Sequence, residues 1–181
     1  MTSIERVSTR EVYRYPWLTL REDRIRRPDG SAGVYSVIDK PDFALVIPAE
    51  PDGFHLVEQY RYPVGGRFWE FPQGTATGGA VVPPAELASA ELAEETGLRA
   101  GSLEHLGHLH CAYGMSSQGY DIFLATDLTS GPTAREATEQ DMRQRLVGRD
   151  EFEAMIRSGL ITDDSTLAAY ALLLMREAGR L

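Results

Sequence analysis

The alternation of hydrophobic and polar positions divides this chain into a strand-rich opening stretch and then strands and helices in turn. Glu11 to Leu20 is rich in aromatic and β-branched residues and predicts a strand. Arg21 to Arg27 alternates up to Pro28-Asp29-Gly30, where proline presets φ and glycine is conformationally permissive, so a hairpin should return over Ser31 to Asp39. Lys40-Pro41-Asp42 ends that strand. Phe43 to Pro48 is a continuous apolar run, the pattern of a strand buried on both faces, and Pro51-Asp52-Gly53 turns it into Phe54 to Tyr60.

Further along, Pro83 and Pro84 suit the first turn of a helix, where a missing N–H goes unused, and Gly97 suits its C′ position. The helix between them, about Ala85 to Thr96, carries Glu91, Glu94 and Glu95 at i, i+3 and i+4. Like charges at that spacing cost a helix roughly 0.2–0.5 kcal/mol per pair, and these lie at the negative end of the macrodipole. The only basic residue at i+4 from these glutamates is Arg99, beyond the helix-ending Gly97, so the pattern predicts a cation there. Ser102 to Ala112 and Tyr120 to Ala125 read as strands around a loop at 113–119, Leu128 to Gln140 as irregular, and Met142 to Val147 as a last strand. Amphipathic helices come next at Asp150 to Ser158 and Asp164 to Ala178.

Composition narrows the classes of partner. A length of 181 residues with 43% hydrophobic content accommodates one domain and a small appended sheet. A net charge of −9 disfavours nonspecific binding to nucleic acid or an anionic membrane, so an anionic ligand must be met by local arginines or by a metal. The single cysteine, Cys111, reads as a buried strand residue and fits a reducing compartment. The N-terminal stretch lacks the apolar core of a signal peptide, and the longest apolar run, Leu167 to Met175, is short of the roughly 20 residues that span a bilayer. The expectation is a cytoplasmic protein. The arginines at 21, 24, 26 and 27 read as a solvated hairpin face, with contact to a phosphate as the alternative.

The eight residues Glu91-Leu92-Ala93-Glu94-Glu95-Thr96-Gly97-Leu98 match E-U-x-E-E-x-G-U, where U is aliphatic, and this segment resembles the second half of the Nudix box. The first half departs: between Gly74 and the box arginine there are two residues more than the pattern allows, and Ala90 stands at the arginine position. Ahead of the box, Gln59-Tyr60-Arg61 and Trp69-Glu70-Phe71-Pro72-Gln73-Gly74 are similar to the corresponding run in the ADP-ribose and nucleoside-diphosphate-sugar branch. The resemblance covers about residues 10–175. It implies a Nudix α/β/α sandwich at 41–181 and a small N-terminal antiparallel sheet at 1–40 that joins two copies into a homodimer.

The resemblance also implies hydrolysis of a pyrophosphate bond in a nucleotide-derived small molecule, ADP-ribose or a related nucleotide sugar. A dinucleoside polyphosphate or nucleotide hydrolase and a silent nucleotide-binding sensor are the alternatives. The implied cofactor is magnesium, with manganese as a substitute, held by Glu91 and Glu95, with Glu94 and the Gln73 carbonyl contributing. Arg61 and Arg67 are candidates to clamp phosphate, or else structural ion-pair donors, and Glu70 would orient the loop or an arginine. Trp17 and Tyr35 either stack on a base or pack in the core. Gln118 falls where that branch has a glutamate base, and an amide cannot take a proton from water, which leaves Glu136, Glu139 or a box glutamate for that role.

Overall fold

The computed structural model describes residues 3–76, 81–135 and 141–181. Strands β1 (Glu5–Tyr15), β2 (Leu18–Arg26) and β3 (Ala32–Asp39) form a separate antiparallel sheet in that order. The single strand expected over Glu11 to Leu20 is divided by a turn at Pro16-Trp17, because proline has no N–H to give a ladder; Tyr15 pairs directly with Leu18. The arginines of this sheet are largely matched within it. Arg21 bonds Asp39 at 2.6 Å and pairs with Asp23, and Arg26 bonds Glu5 at 3.0 Å.

The main sheet is mixed and seven-stranded, built from β4 (Phe43–Glu50), β5 (Gly53–Arg61), β6 (Gly66–Glu70), β7 (Gln73–Gly74), β8 (Leu98–His110), β9 (Gly119–Ser130) and β10 (Arg143–Gly148). Its order is β10-β5-β4-β9-β8, with β6 on β5 and β7 on β4; only β4 and β9 run parallel. Side-chain alternation on β4 sends Leu45 and Ile47 to one face and Ala44 and Val46 to the other. The first face packs against α2 (Arg149–Ser158) and α3 (Asp164–Glu177) through Phe54, Phe71, Phe152 and Tyr170, whose rings meet at 4.8–5.9 Å. The second face packs against Ala88 and Leu92 of α1 (Pro84–Thr96). Burial of Leu92 contributes about 1.5–3 kcal/mol, which fixes the helix on the sheet despite its acidic end. This is the helix-sheet-helix sandwich expected.

Two boundaries differ from the sequence reading. Gly97 at φ 72° ends α1 and releases the chain straight into β8, so that strand starts at Leu98, paired with Ser130, and β9 runs past the Leu128 at which irregular chain was expected. Residues 131–135 have no regular structure, and 136–140 are outside the described residues. Cys111 is half-buried just beyond β8, since the strand ends at His110. Among the described residues no helix is long and apolar enough to cross a membrane.

The feature that builds the site is a splay between β4 and β5. They pair only at Ala49 with Phe54 and Glu50 with Gly53, next to their turn, and then diverge. The opening is filled by β6 on β5 and by β7 on β4, with Leu45 opposite Gln73 and Ala44 opposite Gly74. Residues 70–74 are thereby laid beneath α1.

Candidate active site

A cleft of about 470 Å³ opens beside this junction, lined by Arg61, Glu70, Gln73, Cys111, Asp163 and Asp164 among others. Glu70 is 2% exposed at the end of β6, and its carboxylate accepts from Gln59 Nε2 at 2.8 Å, from Arg61 Nε at 3.1 Å and from Arg61 Nη2. Burial pushes the Glu70 carboxyl above its ordinary range, and the guanidinium beside it works the other way. For Arg61, burial opposes the charge, but Glu70, with Asp163 and Glu95 beyond it, more than offsets this and holds its pKa above the usual value. The Arg61 side chain is 40% exposed and its guanidinium has five donors, so its two carboxylate bonds leave donors for a ligand in the cleft.

The box glutamates reach the same junction from above. Glu95 is 1% exposed and its Oε2 accepts the backbone N–H of Gln73 at 3.2 Å. The Glu91 carboxylate lies directly over Gly74, where an added Cβ would collide with it. The absence of a side chain at 74 therefore makes room for this carboxylate. Glu94, half-buried one turn from Ala90, completes the acidic face.

Gln73 is tied on its other side to Asp163, which accepts its Nε2 at 3.1 Å. Asp163 is also the N-cap of α3, accepting Thr166 N at 2.8 Å, while Thr166 Oγ1 accepts Phe71 N at 3.0 Å. One cap thus joins the last helix to the strand beneath the glutamates. Asp163→Ala is expected to lower unfolding free energy by about 1–2 kcal/mol, the usual cost of a lost cap, as a shift in urea midpoint at constant m. The Asp-Asp-Ser-Thr run ahead of an amphipathic helix announces the cap in the sequence; its tie to Gln73 is visible only in the fold.

Of the remaining sequence candidates, Arg67, Trp17, Tyr35 and Gln118 do not line the cleft. Arg67 bonds Glu58 at 3.0 Å and also pairs with Asp141, the ion-pair role. Trp17 and Tyr35 are exposed on the N-terminal sheet rather than packed in a core, and Tyr35 donates to Gly114 O at 3.2 Å. That contact is part of a seam in which the loop after β8 pairs with β3, Ile38 N donating to Met115 O at 2.8 Å and Ser117 N to Ile38 O at 3.0 Å. Gln118 is buried and gives its amide to Pro41 O at 2.8 Å. Glu136 and Glu139 lie outside the described residues. Burial pushes the Cys111 thiol up, so although it lines the cleft it is protonated at neutral pH and a poor nucleophile.

The donor set is that of a hard cation: carboxylates on α1 above a strand that offers backbone oxygens. Among the described residues no three His, Cys, Asp or Glu side chains converge closely enough to hold an ion alone. Electrostatics also point to a cation. Glu70, bonded to Arg61, lines the cleft together with Asp163 and Asp164, so an anionic ligand would be repelled without a counter-cation.

Comparison with known proteins agrees with this geometry. Residues 4–38 match the family described as the nucleoside diphosphate sugar hydrolase N-terminal domain. An ADP-ribose pyrophosphatase of Mycobacterium tuberculosis is 32% identical over 166 residues, spanning 91% of this chain and 80% of that protein. A crystal structure of an ADP compounds hydrolase superposes with a TM-score of 0.85 over 100% of this chain and 98% of its own, at 20% identity, a likeness of fold.

Proposed function

Since this chain belongs to the Nudix hydrolases, in their ADP-ribose pyrophosphatase-like branch, we propose that it hydrolyses the pyrophosphate bond of a nucleoside diphosphate joined to a sugar, ADP-ribose foremost. The observation that carries this reading is the convergence of Glu91 and Glu95 on Gln73-Gly74 beside a cleft that holds Arg61. Glu91 and Glu95, with Glu94 and the Gln73 carbonyl, would hold magnesium or manganese. When bound, such an ion neutralises the diphosphate and activates the attacking water.

The chain's own residues do the rest. Arg61 offers its free donors to the diphosphate oxygens, and Glu70 fixes the plane of that guanidinium. Water adds to one phosphorus, the bridging P–O bond breaks, and the proton of the water passes to a carboxylate, giving a nucleoside monophosphate and a sugar phosphate. Gln118 cannot be that acceptor, being an amide held by Pro41, so a glutamate on α1 or at 136 or 139 takes the proton. The N-terminal sheet, with Tyr13, Tyr15 and Trp17 exposed, would join two copies in a homodimer in the cytoplasm.

The deciding experiment is a product assay over ADP-ribose, other sugar nucleotides, dinucleoside polyphosphates and nucleoside triphosphates, in Mg2+ and in Mn2+. Preferential cleavage of sugar nucleotides is expected. Preference for polyphosphates would replace the substrate, and binding without turnover in either metal would make the protein a sensor. A second check is Gly74→Ala: its Cβ displaces the flexible end of Glu91, so kcat/KM should fall roughly 10–100-fold while the thermal midpoint hardly moves.

A further inference from the structure

The acidic end of α1 is closed by a cation from a distant part of the chain. Residues 131–135, between β9 and β10, run along the C-terminal end of α1 and cap its carbonyls. Gly131 N donates to Gly97 O at 2.6 Å, Ala134 N to Glu94 O at 3.1 Å, and Arg135 Nε to Glu95 O at 3.0 Å. The same guanidinium donates through Nη1 to Met142 O, at the entry to β10. Arg135 thereby bridges the turn that carries the glutamates to the chain beyond the loop. It also sets a full positive charge at the helix terminus where the macrodipole is negative and three carboxylates cluster. Within α1 itself no residue does this, and Ala90 stands where the box has its arginine.

We propose that Arg135 is a positioning residue for the divalent-cation site, holding the last turn of α1 so that Glu91 and Glu95 stay aimed at Gln73-Gly74. It stands in for the arginine that Ala90 lacks. The inference rests on the hydrolase reading only for the purpose the cation serves; the positioning itself is a matter of cation affinity. Arginine is required because one planar fork serves both the Glu95 and the Met142 carbonyls; lysine, a point charge, cannot hold both in fixed directions. Ala90 is exposed and lies four residues before Glu94, so an arginine introduced there can reach the acidic face from the other side.

The test is Mn2+ titration of metal-free full-length protein, monitored by electron paramagnetic resonance, with the thermal midpoint measured beside it. Arg135→Ala should weaken Mn2+ binding roughly 10–100-fold, the range for residues that orient metal ligands. Adding Ala90→Arg to that variant should recover most of the lost affinity without restoring the loop contacts. Arg135→Lys should bind Mn2+ more weakly than the natural chain at a nearly unchanged midpoint, and it carries the test if the alanine variant does not fold. Unchanged affinity in the alanine or lysine variant overturns the proposal, as does a double variant that binds no better than Arg135→Ala. Turnover is assayed in parallel. A natural chain that binds Mn2+ but cleaves nothing sinks the hydrolase reading and leaves the Arg135 result standing, whereas a cleaving chain indifferent to Arg135→Ala sinks only the latter.

Discussion

Glu95→Gln is expected to leave the protein folded and to remove its turnover. The side chain is 1% exposed and its Oε2 accepts the Gln73 N–H. Glutamine has the same shape, and its carbonyl oxygen can accept the same bond, so packing under α1 should survive. What is lost is a charge at the point where the cation is to be held. A bound ion contributes several kcal/mol of transition-state charge stabilisation, and about 1.4 kcal/mol corresponds to a factor of ten, so a roughly thousandfold loss in kcat/KM is expected. Steady-state assay with ADP-ribose and Mg2+, alongside circular dichroism, checks both halves. Undiminished turnover in this variant would remove Glu95 from the cation site.

Arg61→Ala should damage stability and catalysis together, for one electrostatic reason. Glu70 is 2% exposed; burial pushes its carboxyl above the ordinary range, and the guanidinium beside it is what favours the charged form. With the partner gone, a buried carboxylate must either remain charged without compensation or take up a proton. Breaking a fully buried pair costs about 3–5 kcal/mol; with the Arg61 side chain 40% exposed, roughly 2–4 kcal/mol is expected. Adding Glu70→Gln removes the stranded charge, so the double variant should regain much of the stability while turnover stays low, because the phosphate-facing donors are still missing. Urea unfolding and kcat/KM separate the two effects. A single variant with natural stability would show that the pair holds nothing together, and one with natural kcat/KM would show that Arg61 does not touch substrate.

Much of this was legible in local pattern. The helix from Pro84 to Thr96 is written in its prolines, its apolar Ala88 and Leu92, and Gly97. The sheet alternation of Leu45 and Ile47 against Ala44 and Val46 appears in the sequence only as a continuous apolar run, which is what two buried faces produce. Glu91, Glu94 and Glu95 announce themselves by spacing, since a helix turns i, i+3 and i+4 to one side whatever it packs against. The turn at Pro16-Trp17 was also within reach, because proline inside a predicted strand argues against continuity.

Other features belong to no local pattern. Arg61 and Arg67 are both arginines beside aromatic residues on paired strands, yet one faces Glu70 in the cleft and the other Glu58 and Asp141 outside it. Gln118 gains its partner from Pro41, seventy-seven positions away. Asp163 reads as a helix cap and becomes a tie to Gln73 only because α3 packs on β4, the strand with which β7 pairs.

By itself the sequence determined most of the elements and the acidic face on α1, because helical and strand periodicities are properties of the backbone. The tertiary structure decided what meets that face: Gln73-Gly74, brought beneath it by the splay of β4 from β5, and Arg135, brought to its end by the β9–β10 connection. Those contacts are set by how the sheet is threaded, and threading depends on packing between segments far apart in the chain, which no window of neighbouring residues records.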